Sequence, residues 1–175
     1  MKKEIYSSIC SQVYSTLKEG EGLTIYMEGE NSQYFRFNDS KIRQTGIIED
    51  YKVTLSLYHG KKSLQATTTV SSDIDYSVNN LISEINSLRE PLSLIPDNNF
   101  TVFPIKFDSL DMHRKGDLPQ REEILDSLMD VINKDKLTGV WTSGKIFRAS
   151  STSEGTSHWF EKDSFIFDFS LIDAK

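Results

Sequence analysis

The feature that most constrains this chain is the stretch 34–70, in which alternating apolar and polar residues are interrupted by turn-forming ones. Val53, Leu55 and Leu57 alternate with polar residues, which is the period-2 pattern of a half-buried β-strand. The alternation resumes after residues 59–61, where a glycine can adopt the positive φ of a tight hairpin turn without steric cost. The stretch therefore predicts a β-hairpin with one buried face, and it shows no catalytic pattern.

The residues around this hairpin predict a sheet covered by two helices. The predicted strands are 23–27, 34–37, 42–48, 53–58 and 64–70, with breaks at 29–32 and 38–40. A helix before them carries an apolar stripe from Ile5 to Leu17. A second helix follows them, with Ser72 and Asp75 as its capping box and Pro91 as its end. Because sheet and helices each have one apolar face, we expect an α+β fold with both helices on one face of an antiparallel sheet.

Residues 92–117 interrupt this regular pattern. Prolines and a turn-prone Asp-Asn-Asn cluster leave only one short strand candidate there, at 100–103. A connection of this length indicates a domain boundary, or a segment lying on the surface of its neighbour. We therefore expect an N-terminal α+β domain at 1–104 and the start of a second domain, truncated at its C-terminus, at 105–175.

The second predicted domain begins with a helix that has Pro119 in its first turn and ends near Lys134. Its apolar face consists of Ile124, Leu125, Leu128, Met129 and Ile132. Turns are predicted at 142–144 and 150–155, separating the first antiparallel strands of a second sheet.

The last predicted strand carries Phe165, Phe167 and Phe169 on one side. Three large rings on one face need a cover, because leaving them bare would expose a patch large enough to drive association. Helix three is the nearest candidate within the chain. We expect, in addition, self-association as a symmetric dimer through residues 156–171 or the open sheet edge beside them.

Composition and charge exclude several classes of function. The formal charge of −6 and the pI near 5.1 argue against direct binding of nucleic acid. The basic clusters at 61–62 and 113–115 are interpreted as solvated turns and loops. No apolar run approaches the roughly 20 residues that span a bilayer, so no membrane partner is expected. The N-terminus lacks the features of a signal peptide and Cys10 is the single cysteine, so a cytoplasmic location is expected.

No side chains form a recognisable catalytic or metal-binding pattern. The histidines are predicted in a turn (His59), a loop (His113) and a strand (His158), and none has a second histidine or cysteine at a metal-ligand spacing. The adjacent acidic pairs at 49–50 and 122–123 point apart. A serine-rich turn with Ser150, Ser151 and Ser153 lies near His158 but no orienting acid is marked, and Cys10 is interpreted as a small apolar helix residue. We therefore predict no catalytic, metal or cofactor-binding residue, and substrate-binding residues are not identified.

Two runs of sequence carry a resemblance to a known family. The first follows the strand 34–37 and reads N-D-S-K-I-R-Q-T-G, an acidic pair, a hydrophobic strand, a G-K turn and an A-T-T-T strand. The second, at 149–171, is a small-residue turn ending in glycine, then W-F-E and an aromatic alternating strand. In this order the runs resemble the N-terminal region of the TldD/PmbA family, whose members are described as proposed modulators of DNA gyrase or proposed Zn-dependent proteases.

The resemblance implies a function for the parent protein rather than for this chain alone. It implies the non-catalytic N-terminal portion of a TldD/PmbA-like metallopeptidase, which shapes a substrate channel and an assembly interface. Family peptidases hold zinc on a helical H-E-x-x-x-H, which this sequence lacks, so zinc is expected only in a C-terminal half beyond residue 175. The implied partners are a second copy or a related family member, with peptide or unfolded polypeptide as substrate. The alternative is a stand-alone binding module, or a metal-free companion subunit without peptidase activity.

Overall fold

The computed structural model describes residues 1–132 and 136–172. The helices are α1 (Lys3–Tyr14), α2 (Ile74–Leu94) and α3 (Arg121–Ile132). The strands are β1 (Glu21–Asn38), β2 (Lys41–His59), β3 (Lys62–Thr69), β4 (Leu110–Arg114), β5 (Lys136–Thr152) and β6 (Ser157–Ile172). Half of the chain is strand and about a quarter is helix, which confirms the predicted α+β class.

The strands form one six-stranded sheet in the order β3-β2-β1-β5-β6-β4. β2 and β3 pair antiparallel, from Lys52 opposite Thr69 to His59 opposite Lys62. The contacts between the segments that contain β4 and β6 advance together along the chain, from Phe107 with Thr156 to Gly116 with Asp163, so β4 runs parallel to β6 and the sheet is mixed. The prediction of a second sheet was wrong: β5 pairs with β1 and extends the first sheet. Without that pairing, β1 would be an open edge.

The hairpins have the turns that the sequence predicts. Asp39 and Ser40, with φ of 50° and 57°, form the two-residue connection between β1 and β2. Gly60, with φ of 58°, lies in the connection between β2 and β3. Consecutive positive φ angles suit the right-handed twist of the flanking strands, and short polar residues and glycine adopt them most readily.

The five short strands predicted before α2 are three long ones. β1 continues through residues 29–32 and β2 continues through residues 49–50. Gly29 had indicated a break, but it serves packing instead: a Cβ there would lie 3.1 Å from the Asp50 carbonyl oxygen and would overlap the Tyr51 ring. A strand glycine that admits a neighbouring group closely is compatible with a continuous ladder.

The start and end of α2 and the connection that follows it differ from the sequence-based expectations. The N-cap of α2 is Asp73, whose carboxylate accepts a hydrogen bond from the Tyr76 amide at 3.0 Å, and the helix continues past Pro91 to Leu94. The strand expected at 100–103 is absent from the described part of that connection, and β4 occupies 110–114 instead. Phe103 packs its ring on Tyr58, with centroids 5.0 Å apart, rather than entering a ladder.

The third helix begins at Arg121, two residues after Pro119. The Gln120 amide donates to the Glu123 carboxylate at 2.9 Å, which is the reciprocal half of a capping box and accounts for the later start. The predicted end near Lys134 lies outside the described residues. The turn expected at 142–144 was wrong, because β5 is continuous there.

The chain divides into two compact units, each built from three segments. Unit 1 comprises Met1–Gly29, Asp50–Met112 and Phe147–Phe160, and unit 2 comprises Glu30–Glu49, His113–Ile146 and Glu161–Lys175. Neither unit ends at residue 104, so the predicted division into 1–104 and 105–175 does not coincide with them. It stays a prediction for the parent protein.

The core of unit 1 lies between the sheet and the helices α1 and α2, as the apolar stripes predict. Its fully buried side chains include Val13, Leu23, Ile25, Met27, Leu55, Leu57, Leu81 and Ile85. Trp159 of β6 closes this core, with its ring centroid 5.9 Å from Tyr6 and 5.7 Å from Phe147.

Unit 2 has a smaller core of its own. It consists of Phe35, Phe37, Ile124, Leu137 and Trp141, with Leu125 and Phe167 packed against it. Phe35 and Trp141 stack at a centroid distance of 5.4 Å. α3 therefore covers the sheet through Ile124 and Leu125, as predicted, while the predicted contacts of Leu128, Met129 and Ile132 fall on side chains outside those described.

Position 144 of β5 is a glycine because a neighbouring strand lies very close to it, not because the chain turns there. A substitution at this position tests that explanation. A Cβ at Gly144 would overlap the backbone of Asn31 and Ser32, which cannot move aside as a flexible side chain can. We expect Gly144→Ala to lower the free energy of unfolding by about 1–3 kcal/mol in urea titrations followed by circular dichroism. Gly116→Ala is the matched control, because a Cβ there makes only ordinary contact with Asp163. Equal stabilities of the two variants would contradict the packing role.

Candidate functional surfaces

A cluster of charged side chains lies across β4, β5 and β6 of unit 2. Lys145 Nζ is 3.2 Å from Glu161 Oε1 and 3.2 Å from Asp163 Oδ1. His113 Nδ1 is 3.1 Å from the same Glu161 oxygen, and the Gly116 amide donates to Asp163 Oδ2 at 3.1 Å. Both carboxylates thus have cationic or N–H partners, and they connect the parallel edge strand β4 to β6.

The electrostatics of this cluster favour a stabilising role over chemistry. Burial lowers the pKa of Lys145, but its hydrogen bonds to Glu161 and Asp163 outweigh burial, so the pKa is raised. An amine with a raised pKa stays protonated and is a poor nucleophile or base. His113 was predicted in a loop, and that was wrong, because it lies in β4.

A second polar cluster is buried in unit 1, where α1 faces the end of β5. The Tyr6 hydroxyl donates to the Ile25 carbonyl at 2.8 Å and lies 3.2 Å from Ser151 Oγ. Ser151 Oγ is also 2.6 Å from the Tyr14 hydroxyl and donates to Cys10 Sγ at 3.3 Å. The four side chains satisfy one another inside an apolar core, which is the arrangement that fixes a helix on a sheet.

Burial makes this second cluster chemically unreactive. It raises the pKa of the Cys10 thiol to about 11 and the pKa values of the Tyr6 and Tyr14 hydroxyls above their ordinary range. The serine-rich turn is divided by the fold: Ser151 bonds to α1, and Ser153 Oγ accepts from the Leu23 amide at 3.1 Å. In the described part of the chain, no hydrogen bond joins these serines to His158.

The side of β6 that carries Phe165, Phe167, Phe169 and Leu171 is called the β6 apolar face below. Phe167 packs on the core of unit 2 and stacks on Phe169 with ring centroids 4.7 Å apart. Phe165, Phe169 and Leu171 are 61%, 48% and 57% exposed. Within the described residues, Phe167 is therefore the one member of this face that is covered, whereas the other three side chains remain exposed.

Two shallow hollows flank β6 in unit 2. One, of about 280 Å³, is lined by Arg36, Phe37, Thr138, Gly139, Val140, Asp168, Phe169 and Ser170. The other, of about 90 Å³, is lined by Glu30, Ser32, Thr142, Ser143, Gly144, Ile146, Ser164, Phe165 and Ile166. The first hollow includes Gly139 of β5 and the second includes Gly144. Neighbouring backbone lies close to both glycines, and the hollows occur where β5 has no side chain.

Unit 1 has an exposed apolar stretch of its own, in the connection between α2 and β4. Its exposed members are Phe100, Val102, Ile105 and Phe107, flanked by Leu94 at the end of α2 and Leu110 at the start of β4, and Phe100 is 92% exposed. The stretch is held by polar contacts: the Asn98 amide donates to the Lys61 carbonyl at 2.9 Å, and the Phe107 amide donates to Thr156 Oγ1 at 2.9 Å. Apolar surface on an ordered backbone is typical of contact surfaces.

The described residues contain neither a metal-binding group of side chains nor a membrane-spanning helix. Within 1–132 and 136–172, no three histidine, cysteine, aspartate or glutamate side chains are grouped so that they could hold a metal ion. Among the described helices, none is long and apolar enough to cross a membrane.

Comparison with known proteins shows what fold this is. No family model matches the sequence, and no curated protein matches it. Several solved structures share its fold, and three crystal structures are among them. A proposed modulator of a DNA gyrase from Thermotoga maritima MSB8 aligns over 91% of this chain with a TM-score of 0.61 and 11% identity.

The other two structures agree with the first. A proposed modulator of DNA gyrase from Bacteroides thetaiotaomicron VPI-5482 aligns over 95% of this chain, with a TM-score of 0.57 and 12% identity. TldE from Thermococcus kodakarensis also aligns over 95%, with a TM-score of 0.58 and 12% identity. The chain spans 38–42% of the length of these proteins. The predicted resemblance to the TldD/PmbA N-terminal region is thus confirmed at the level of the fold.

The unreactive state of Cys10 can be measured directly. At about pH 8 a thiol with a pKa of about 11 is ionised to roughly one part in a thousand, whereas an ordinary one is ionised to roughly a quarter. We therefore expect a thiol reagent to label the native chain at least about a hundredfold more slowly than the chain in concentrated urea. Cys10→Ala/Ser11→Cys places one thiol on the exposed side of the same helix and should label rapidly. Equal native labelling of both proteins would refute the burial argument.

Proposed function

We propose that this chain is the non-catalytic N-terminal portion of a TldD/PmbA-like protein, in which it shapes a substrate channel and provides an assembly interface. The observation that carries the proposal is the extent of the fold match: nearly all of this chain aligns with only about two fifths of each solved neighbour. The gyrase and TldE names belong to those neighbours. The parent protein, on this proposal, is a zinc-dependent peptidase or its metal-free partner, located in the cytoplasm.

The distribution of apolar side chains supports the interface part of the proposal. On the β6 apolar face, Phe165, Phe169 and Leu171 are about half exposed on a strand whose hydrogen bonding to β5 holds them in place. Rigid aromatic side chains lose little conformational entropy on binding, so they favour association. The partner we propose is a second copy of this chain or a related family member.

The hollows beside β6 support the channel part. They are lined by a mixture of aromatic, hydroxyl and charged side chains along exposed strands, with Arg36 and Asp168 at one of them. An extended peptide can be bound by such a surface, because its backbone needs hydrogen-bond partners and its alternate side chains need small pockets. Peptide or unfolded polypeptide is therefore the substrate class proposed for the parent protein.

The reading frame after the codon for Lys175 tests the proposal most directly. A frame that continues and encodes H-E-x-x-x-H on a helix supports a metallopeptidase parent, since that motif supplies two histidine ligands for zinc. A continuing frame without the motif supports the metal-free companion. A stop codon at that point would overturn the proposal and leave a stand-alone binding module.

The proposal predicts that the 175-residue chain holds no stoichiometric zinc and hydrolyses no peptide. Zinc needs three or four nitrogen, sulfur or oxygen ligands that converge, and the sequence contains no such spacing. Elemental analysis after dialysis against zinc-free buffer should find far less than one zinc per chain. One tightly held zinc, lost when His113 is replaced by Gln but retained in His158→Gln, would contradict the assignment of chemistry to another part of the parent.

The β6 apolar face is predicted to cause self-association. We expect light scattering after gel filtration to show a dimer at micromolar concentrations, and Phe165→Glu/Phe169→Glu to convert it to monomer, because a buried carboxylate without a partner opposes association strongly. Phe100→Glu is the control, since this ring is equally apolar and more exposed but belongs to the α2–β4 connection. A monomer at all concentrations, or the same effect from the control, would exclude this face as the interface.

A further inference from the structure

A cleft of about 390 Å³ in unit 1 gathers basic side chains from three elements. It is lined by Lys18, Glu21, His59, Lys62, Arg89, Leu92 and Ser93. These residues come from the α1–β1 connection and the start of β1, from the two sides of the β2–β3 turn, and from the end of α2. Three cationic groups, one imidazole and one carboxylate thus share a single hollow on a chain whose net charge is −6.

The carboxylate in the cleft is already neutralised. Arg89 donates from Nε to Glu21 Oε1 and from Nη2 to Glu21 Oε2, both at 2.8 Å, in a bidentate pair. The Lys18 amide donates to Glu21 Oε2 at 2.8 Å, and Arg89 Nη2 also donates to the Thr16 carbonyl at 3.1 Å. The hydrogen bonds from Arg89 lower the pKa of Glu21, so the pair stays ionised and contributes no net charge to the hollow.

Two lysines beyond this pair give the cleft its net positive charge, and the charge of one of them, Lys18, also acts on Glu21. Lys62 Nζ donates to the Ser93 carbonyl at 2.9 Å, which fixes the ammonium at the rim and leaves further N–H groups for a ligand. No salt bridge pairs Lys18 or Lys62 with a carboxylate in the described part of the chain. Lys62 is half-buried, so its charge is less screened than that of a fully exposed lysine, whereas Lys18 is exposed.

The β2–β3 hairpin and the turn before β1 place an imidazole beside these ammonium groups. Gly20 has φ of 78°, and a Cβ built on it would lie 3.1 Å from His59 Nε2. A side chain at this position would force the imidazole to shift by a few tenths of an ångström, so the glycine allows His59 to approach this turn closely. Leu92, which is buried, supplies an apolar wall.

We propose that this cleft binds the oxyanion group, phosphate or carboxylate, of a small molecule. The reason is the combination of a net positive lining, two lysine ammonium groups that form no salt bridge within the described residues, and a volume within the range of small-molecule sites. The ligand is larger than the oxyanion alone, because the hollow also has an apolar wall. This inference is independent of the proposed assembly role, since all the residues involved belong to unit 1, whereas the residues of the β6 apolar face belong to unit 2.

Titration with small anions tests the site. Inorganic phosphate and, separately, acetate are added to the ¹⁵N-labelled chain at constant ionic strength, with sodium chloride as the balancing salt. We expect saturable chemical-shift changes at the amides of the lining residues. Lys18→Gln/Lys62→Gln should weaken binding at least about tenfold, because hydrogen bonds between charged partners are lost.

Lys61→Gln is the matched control for this experiment. Lys61 is adjacent to Lys62 and carries the same charge, but its Nζ bonds to Asn99 Oδ1 at 2.9 Å and does not line the cleft. The affinity of the Lys61→Gln variant for the anion should stay within about twofold of that of the unmodified chain. Saturation by phosphate alone identifies a phosphate-bearing ligand, and saturation by acetate as well identifies a carboxylate-tolerant site. The absence of saturation with both anions, or equal weakening by the control, would overturn the proposal.

Discussion

The pairing of β1 with β5 is the interaction on which the rest of the structure depends. It joins residues far apart in the chain: the Leu23 amide bonds to Ser153 across 130 positions, and the Leu137 amide bonds to Ser40 across 97. Each compact unit contains one part of this pairing. Without it, unit 1 would lose the side chains of Phe147 and Trp159 from its core, and unit 2 would lose Leu137 and Trp141. Because these contacts join residues far apart in the sequence, long loops must close, at a cost in entropy, before the contacts can stabilise the fold. Slow folding is therefore expected.

Local patterns predicted local structure well and strand pairing poorly. The apolar stripes of α1 and α2, the alternation of β2, and the turns at Asp39 and Gly60 follow from the chemistry of a few neighbouring residues. The continuity of β1 and β5 does not, because Gly29 and Gly144 look like turn residues until the strand that lies against them is known. The charged cluster around Lys145 was missed for the same reason: its carboxylates are 16 and 18 positions away, and only the register brings them together.

The two charged groups of side chains differ in a way that bears on function. In unit 2, Lys145 lies between Glu161 and Asp163, so cation and anions compensate one another within the sheet. In unit 1, the Arg89–Glu21 pair is likewise neutral, but Lys18 and Lys62 add two positive charges that form no salt bridge within the described residues. Fields of compensated groups cancel at short range, whereas uncompensated ones in a hollow attract counterions. The second arrangement is therefore the one suited to recognition.

The size of the β6 apolar face limits what it can do alone. A packed phenylalanine buries about 150–250 Å², so Phe165, Phe169 and Leu171 at half exposure leave about 300 Å² of apolar surface together. A stable protein–protein interface buries about 800 Å² on each partner. The face can therefore supply the centre of an interface but not its whole extent, and further surface has to take part.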